Sequence, residues 1–163
     1  MIIAVDAMGG EYAPHEIVKG AIKAAEQYKI GIALVGKKDI LHILTARQTR
    51  KLDVTIIEAP DVIEDHESPI EAVTNKPNSS IVTGIRLLKE GKAQAFVSAG
   101  STGAVFFCAF MTLGRVEGID RPAIGSIINI NVTNPFLLID CGANPNCKPI
   151  HLLQFAQMGS IYA

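Results

Sequence analysis

IIAVDAMGGEYAP, residues 2–14, is an unbroken apolar run that ends on an aspartate and is followed by a Gly-Gly pair and a proline. A run that is apolar at every position, rather than at every second one, reads as a strand buried on both faces. Pro14 suits the first turn of a helix, where its missing N–H costs nothing. The helix then reads over residues 14–28, with Ile17, Val18, Ala21, Ile22 and Ala25 on one face. The unit is therefore strand, glycine-rich loop, helix.

The same grammar recurs downstream. Residues 32–35 and 54–57 read as strands, and residues 38–46 as a short helix between them. An acid-rich loop covers residues 58–67. Ser68-Pro69-Ile70-Glu71 matches a capping box, and Asn78-Ser79-Ser80 is a second cap signal before a helix that runs to about Glu90 and ends at Gly91. Residues 95–98 read as a fourth strand running into Gly100-Ser101-Thr102-Gly103 and an apolar helix to Leu113. Strands are expected at 123–128 and 136–139, and a last helix over 150–163. This alternation predicts an α/β fold with a mostly parallel sheet covered on both faces. The length of 163 residues suits one core, so a single α/β domain over 1–163 is expected. The final helix has no capping glycine and no closing strand after it, an ending that reads as cut.

Composition narrows the function. The formal net charge of −1 leaves no basic excess for nucleic acid and no polybasic tract for an anionic membrane. The N-terminal apolar run stops at Asp6 without a cationic region before it, so it is not a signal peptide, and a cytoplasmic protein is expected. The three cysteines, Cys108, Cys141 and Cys147, fit neither a CxxC pair nor a zinc pattern. Cys141 has two readings, a nucleophile or a bland thiol.

In open α/β sheets ligands bind at the carboxyl ends of strands. Four such ends carry unusual residues: Asp6 to Gly10, Ser98 to Gly103, Asn129 to Asn131, and Asp140 to Asn144. The sharpest is the loop containing Gly100, Ser101, Thr102 and Gly103. Its backbone N–H groups and hydroxyls at a helix start suit a phosphate, and equally suit an ordinary helix cap. It matches neither GxxxxGK[ST] nor GxGxxG, which weakens a nucleotide reading. Lys76, followed by Ser79 and Ser80, is a second phosphate candidate; the bland alternative is a solvated lysine beside a cap. Asp6 and Asp140 either order their loops or act on a substrate. His15 is the one histidine beside a proposed site, whereas His151 at a helix start reads as structural.

Taken in order, DAMGG (6–10), KPNSS (76–80), SAGSTGA (98–104), GIDRPA (118–123), LLIDCGAN (137–144) and KPIHLLQFAQMGSIYA (148–163) resemble the PlsX-type phosphate acyltransferases of bacterial phospholipid synthesis. Family members are longer, and the resemblance is to their N-terminal half. It implies a three-layer α/β/α sandwich like that of phosphate acetyltransferase and isocitrate dehydrogenase, incomplete here at the C-terminus. It implies transfer of a fatty acyl group from acyl-acyl carrier protein to inorganic phosphate. It implies no metal or organic cofactor, a soluble homodimer that meets the membrane peripherally, and a functional link to a membrane glycerol-phosphate acyltransferase.

Three positions depart from the family pattern. Glu11 and Tyr12 stand where the family has Asp and His, and Ser101 stands for an Asn. Lys76, Asp6, His15 and Asn144 are the catalytic candidates that the resemblance and the residues jointly leave. Gly9, Gly10, Ser79, Ser80, Gly100, Ser101, Thr102, Gly103 and Asp140 are the phosphate- or substrate-binding candidates. The rival readings are a short-chain phosphate acetyl- or butyryltransferase, an inactive fragment or assembly partner, and a nucleotide-binding module.

Overall fold

The computed structural model describes residues 1–46, 52–129 and 135–163. They form two compact units, Met1–Leu113 and Gly114–Ala163.

In the first unit, β1 (Ile2–Asp6), β2 (Gly31–Gly36), β3 (Val54–Glu58) and β4 (Ala95–Val97) make one sheet in the order β3-β2-β1-β4, with every neighbouring pair parallel. The continuous apolar runs do what such runs should: all six residues of β2 are buried. Alternate residues face opposite layers. Val5, Ile32 and Leu34 pack with Val18, Ala21, Ile22 and Ala25 of α1 (His15–Tyr28) and with Leu41 of α2 (Lys38–Thr45). Ala4, Ala33 and Val35 face the other way, onto Leu87 of α4 (Ser80–Lys89). A third cluster joins Ala72 of α3 (Pro69–Asn75), Ile81 and Ile85 of α4, and Ala104 and Cys108 of α5 (Thr102–Leu113). The result is helix, parallel sheet, helix, a three-layer α/β/α arrangement.

Small residues set the spacing on the α4 side. A side chain at Gly84 would collide with the Phe96 ring. Gly84 together with Ala4 and Ala33 therefore lets α4 lie close to the sheet. On the opposite face, fully burying a side chain such as Leu34 contributes about 2 kcal/mol.

In the second unit β5 (Gly125–Ile128) and β6 (Phe136–Ile139) pair with each other antiparallel, Gly125 opposite Ile139 and Ile128 opposite Phe136. These are not further strands of the parallel sheet, as the sequence pattern had suggested, and they are only partly covered. The physical reason is length: residues 129–135 are too few for the crossover of a dozen or so residues that a parallel connection requires. α6 (Pro149–Tyr162) lies on β6, where a side chain at Gly159 would meet Ile139 at 3.1 Å.

The caps follow the sequence in part. Ser79 caps α4, its Oγ accepting the Val82 N–H at 3.4 Å. Ser68 stands at the N-cap of α3 with Pro69 at the first turn, but its side chain makes no capping bond, so the expected capping box is not formed. Glu71 faces no reciprocal partner there, and Glu67 supplies the local acid contacts instead.

Candidate functional site

The Gly-Gly pair after β1 is explained by what lies above it. Asp6, wholly buried, accepts the N–H groups of Met8 and Gly9 on Oδ1, each at 3.0 Å. Its Oδ2 accepts the Ser98 hydroxyl at 2.7 Å, and Ser98 Oγ in turn accepts the Gly100 N–H at 3.0 Å. One carboxylate thus ties the loop after β1 to the loop after β4. The two loops meet backbone to backbone. A side chain at Gly9 would strike Asp6 Oδ2 and stand 2.9 Å from the Gly100 nitrogen. Gly10 adopts φ +106°, a conformation open to glycine, with the Ala99 carbonyl 3.0 Å from where its Cβ would be.

This pairing presents the N-terminus of α5. Ser101 Oγ accepts the Ala104 N–H at 3.4 Å, and the Ser101 carbonyl accepts that of Val105 at 3.0 Å. The N–H groups of Thr102 and Gly103 come earlier in the turn and have no intrahelical acceptor. Thr102 and Gly103 are exposed. Gly103 also abuts α3, for a Cβ there would sit 2.8 Å from the Pro69 ring. An open cleft of about 330 Å³ lies alongside, lined by Phe96, Val97, Ser98, Gly100, Thr102 and Val105. The arrangement supplies anion donors next to a partly apolar surface.

The other candidates of this unit are placed differently. Ser79 and Ser80 are buried, and Ser79 is occupied as a cap. The Ser80 N–H donates to the Asp61 carbonyl at 3.3 Å. Lys76 donates from Nζ to the Val62 carbonyl at 2.6 Å and to Glu67 Oε1 and Oε2 at 2.7 and 2.6 Å. The Lys76 hydrogen bond, then that of the Glu64 N–H, lowers the Glu67 carboxyl below the usual range against a smaller opposing effect of burial. His15 begins α1 with its side chain exposed.

The second unit has its own carboxylate-centred loop. Asp140 accepts the N–H groups of Ile124 (3.1 Å), Ala143 (3.2 Å) and Asn144 (2.7 Å), and the Asn144 amide at 3.1 Å. Burial raises its pKa, but the donors from Ile124, Asn144 and Ala143 outweigh that and hold it below the ordinary aspartate value. The Asn144 amide also donates to the Pro122 carbonyl at 2.8 Å, which fixes the approach to β5. His151 is buried and its Nδ1 accepts the Lys148 N–H at 3.1 Å, a structural role as expected. The face of β5 and β6 beside α6 carries an apolar cleft of about 550 Å³, lined by Ile127, Leu137, Ile139, Met158 and Tyr162 among others. Of the strand end at Asn129, Ile130 and Asn131 lie outside the described residues.

Sequence reasoning named Ser98 only as the start of its loop and did not single out Glu67 or Gln154. Ser98 carried a signal, since a serine two residues before a glycine can accept its backbone N–H. Gln154 holds Asp120 N–H at 2.9 Å and the Gly118 carbonyl at 3.0 Å, a long-range contact with no local signature. Among the described residues no group of three or more His, Cys, Asp or Glu is placed to hold a metal ion. No helix among them is long and apolar enough to cross a membrane.

The family description "fatty acid synthesis protein" matches residues 1–163. The chain is 52% identical over 163 residues to a protein named phosphate acyltransferase from Dehalococcoides mccartyi, covering 100% of this chain and 47% of that one. It is 53% identical over 163 residues to a phosphate acyltransferase from Pelotomaculum thermopropionicum, again 100% of this chain and 47% of the relative. For that of Desulfitobacterium hafniense the identity is 51%, with 100% and 48% covered. The chain thus spans about half the length of the curated relatives it matches. With its full length inside the family match and half its residues shared with these relatives, the chain belongs to the fatty acid synthesis protein family, the PlsX-type phosphate acyltransferases.

Proposed function

We propose that this chain carries the phosphate-binding part of an acyltransferase that moves a fatty acyl group from acyl-acyl carrier protein to inorganic phosphate. A phosphate oxygen attacks the thioester carbonyl. A C–O bond forms, the C–S bond breaks, and the carrier thiol leaves with acyl phosphate as the other product. Phosphate is the nucleophile, so no serine or cysteine nucleophile is required. The protein must hold a multiply charged anion against a carbonyl and offer donors to the oxyanion that develops.

The observation that carries this reading is the pairing of the loop after β1 with the loop after β4 through Asp6 and Ser98. It leaves the start of α5, with Thr102 and Gly103 exposed, by the 330 Å³ cleft that Thr102 lines. In this reading Gly100, Ser101, Thr102 and Gly103 receive phosphate, with Gly9 and Gly10 as the adjoining wall. Asp6 and Asn144 are positioning residues. His15, exposed at the start of α1, is the candidate for proton transfer. Acyl phosphate would supply a membrane glycerol-phosphate acyltransferase, and the working form would be a cytoplasmic homodimer.

The test is acyl-phosphate formation from acyl-acyl carrier protein and phosphate by residues 1–163, with size-exclusion chromatography of the same sample. Turnover by a soluble species supports the reading for this chain. Turnover only with acetyl or butyryl thioesters would favour a short-chain enzyme. A folded species with no turnover would favour an assembly partner.

A further inference from the structure

The carboxylate of Glu67 sits in a small anion site of its own. Its Oε2 accepts the backbone N–H of Glu64 at 2.9 Å and the Lys76 ammonium at 2.6 Å, and its Oε1 takes the ammonium at 2.7 Å. A backbone N–H and a lysine are the donors that a phosphate oxygen would use. The ammonium has three N–H groups, and Val62 O and the two Glu67 oxygens account for them. As the pair stands, Lys76 has no donor left for a second anion.

The lysine is nevertheless held in place independently of Glu67. The Val62 carbonyl grips Nζ at 2.6 Å, and the Lys76 N–H is fixed by the Ala72 carbonyl at 2.9 Å. Lys76 also anchors the next turn, its carbonyl accepting the Ser79 N–H at 3.0 Å. If the carboxylate withdrew, the ammonium would stay where it is and two of its donors would be free. Solvent reaches the pair, whose Lys76 and Glu67 side chains are 29% and 27% exposed.

We propose that Glu67 is a built-in competitor that occupies a second phosphate site, made by Lys76 and the Glu64 N–H and additional to the one at the start of α5, and so sets how readily phosphate binds there. This rests on the reading that the protein uses inorganic phosphate. A dianion can displace a single carboxylate there, since partly exposed ion pairs shift an equilibrium by about fivefold or less.

The experiment titrates inorganic phosphate into residues 1–163 by calorimetry, with circular dichroism melts as a check of fold, for the wild type, Glu67→Gln, Glu67→Asp and Lys76→Ala. Glu67→Gln is expected to bind phosphate about twofold to fivefold more tightly. Glu67→Asp, which keeps the charge, should stay near the wild type. Lys76→Ala should weaken binding, and adding Glu67→Gln to it should change nothing further, because the two residues act through one contact. Unchanged or weaker binding in Glu67→Gln, together with weaker binding in Lys76→Ala, overturns the competitor role and leaves the phosphate reading of Lys76 standing. Unchanged binding in Lys76→Ala removes Lys76 from the phosphate site and the competitor role with it. Failure of both the wild type and Glu67→Gln to bind phosphate overturns both. Should Glu67→Gln not fold, Glu67→Ala serves the same comparison.

Discussion

Asp6 and Ser98, 92 positions apart in the chain, share a hydrogen bond of 2.7 Å that joins the end of β1 to the end of β4. The carboxylate is wholly buried and its other oxygen holds two backbone N–H groups. Asp6→Ala would leave those N–H groups and the Ser98 hydroxyl without their acceptor. Each buried unsatisfied group costs about 1–3 kcal/mol, so a loss of about 3 kcal/mol or more is expected. Ser98→Ala should cost less, about 1 kcal/mol, since the charge of Asp6 keeps two donors. Chemical denaturation of both variants measures the difference. Equal losses would mean that the two loops are not held by the carboxylate.

Two glycines make a matched pair of opposite sign. At Gly9 an added methyl would strike Asp6 Oδ2 and crowd the Gly100 backbone, neither of which can yield without breaking the loop pairing. Gly9→Ala should destabilise by about 1–3 kcal/mol and weaken phosphate binding. At Gly20, inside α1, nothing lies within 4 Å of the position a Cβ would take. Gly20→Ala should stabilise by about 0.5–1 kcal/mol through the lower entropy of the unfolded chain and better helix propensity. Denaturation midpoints of the two variants should move in opposite directions.

The layers of the first unit were legible because β1 up to Asp6 and β2 are continuously apolar and α1 repeats its apolar residues at helical spacing. Those signals are local. Two strands, β5 and β6, were misread as part of the same sheet because strand pairing is non-local. The short connection between them held the clue. Aspartate as loop organiser was legible at Asp6 and Asp140, where glycines follow. The partner of Lys76 was not, because an ion pair to Glu67 across two turns has no periodic signature. The cap at Ser79 was legible from Asn78-Ser79-Ser80, and its Oγ does accept the Val82 N–H.

Asp140 makes a pH prediction. Its folded pKa is depressed, chiefly by the Ile124 and Asn144 donors acting against burial. Between the folded and unfolded values, the folded carboxyl is ionised while the unfolded one binds a proton. Stability therefore rises with pH in that window. The contribution is fully present above the unfolded value of about 3.9 and is lost as pH falls through the folded one. Asp140→Asn should remove about 2 kcal/mol at neutral pH and flatten the acid limb of a stability–pH curve. An acid limb identical to that of the wild type would show that these bonds do not distinguish the ionised form.

The three thiols should separate by reactivity. Cys108 is 1% exposed in the layer between α4 and α5, and burial pushes its pKa up, a hydrogen bond to Thr112 only partly offsetting it. The thiolate is the reactive species, so both access and ionisation protect Cys108. Cys147 is exposed and Cys141 intermediate, each with its Sγ directed at a backbone carbonyl, Asn144 O at 3.3 Å and Leu138 O at 3.4 Å. Iodoacetamide at mild alkaline pH should modify Cys147 first and Cys141 next. Cys108 should react only as fast as the Met1–Leu113 unit opens. Peptide mass spectrometry over a time course gives the three rates, and raising urea should accelerate Cys108 alone by orders of magnitude. Because α5 also carries Thr102 and Gly103 at its start, a ligand seated there should slow Cys108 further by stabilising the closed form. Slowing by phosphate would connect the thiol at the middle of α5 to an anion at its N-terminus, whereas an unchanged Cys108 rate at saturating phosphate would place the phosphate elsewhere.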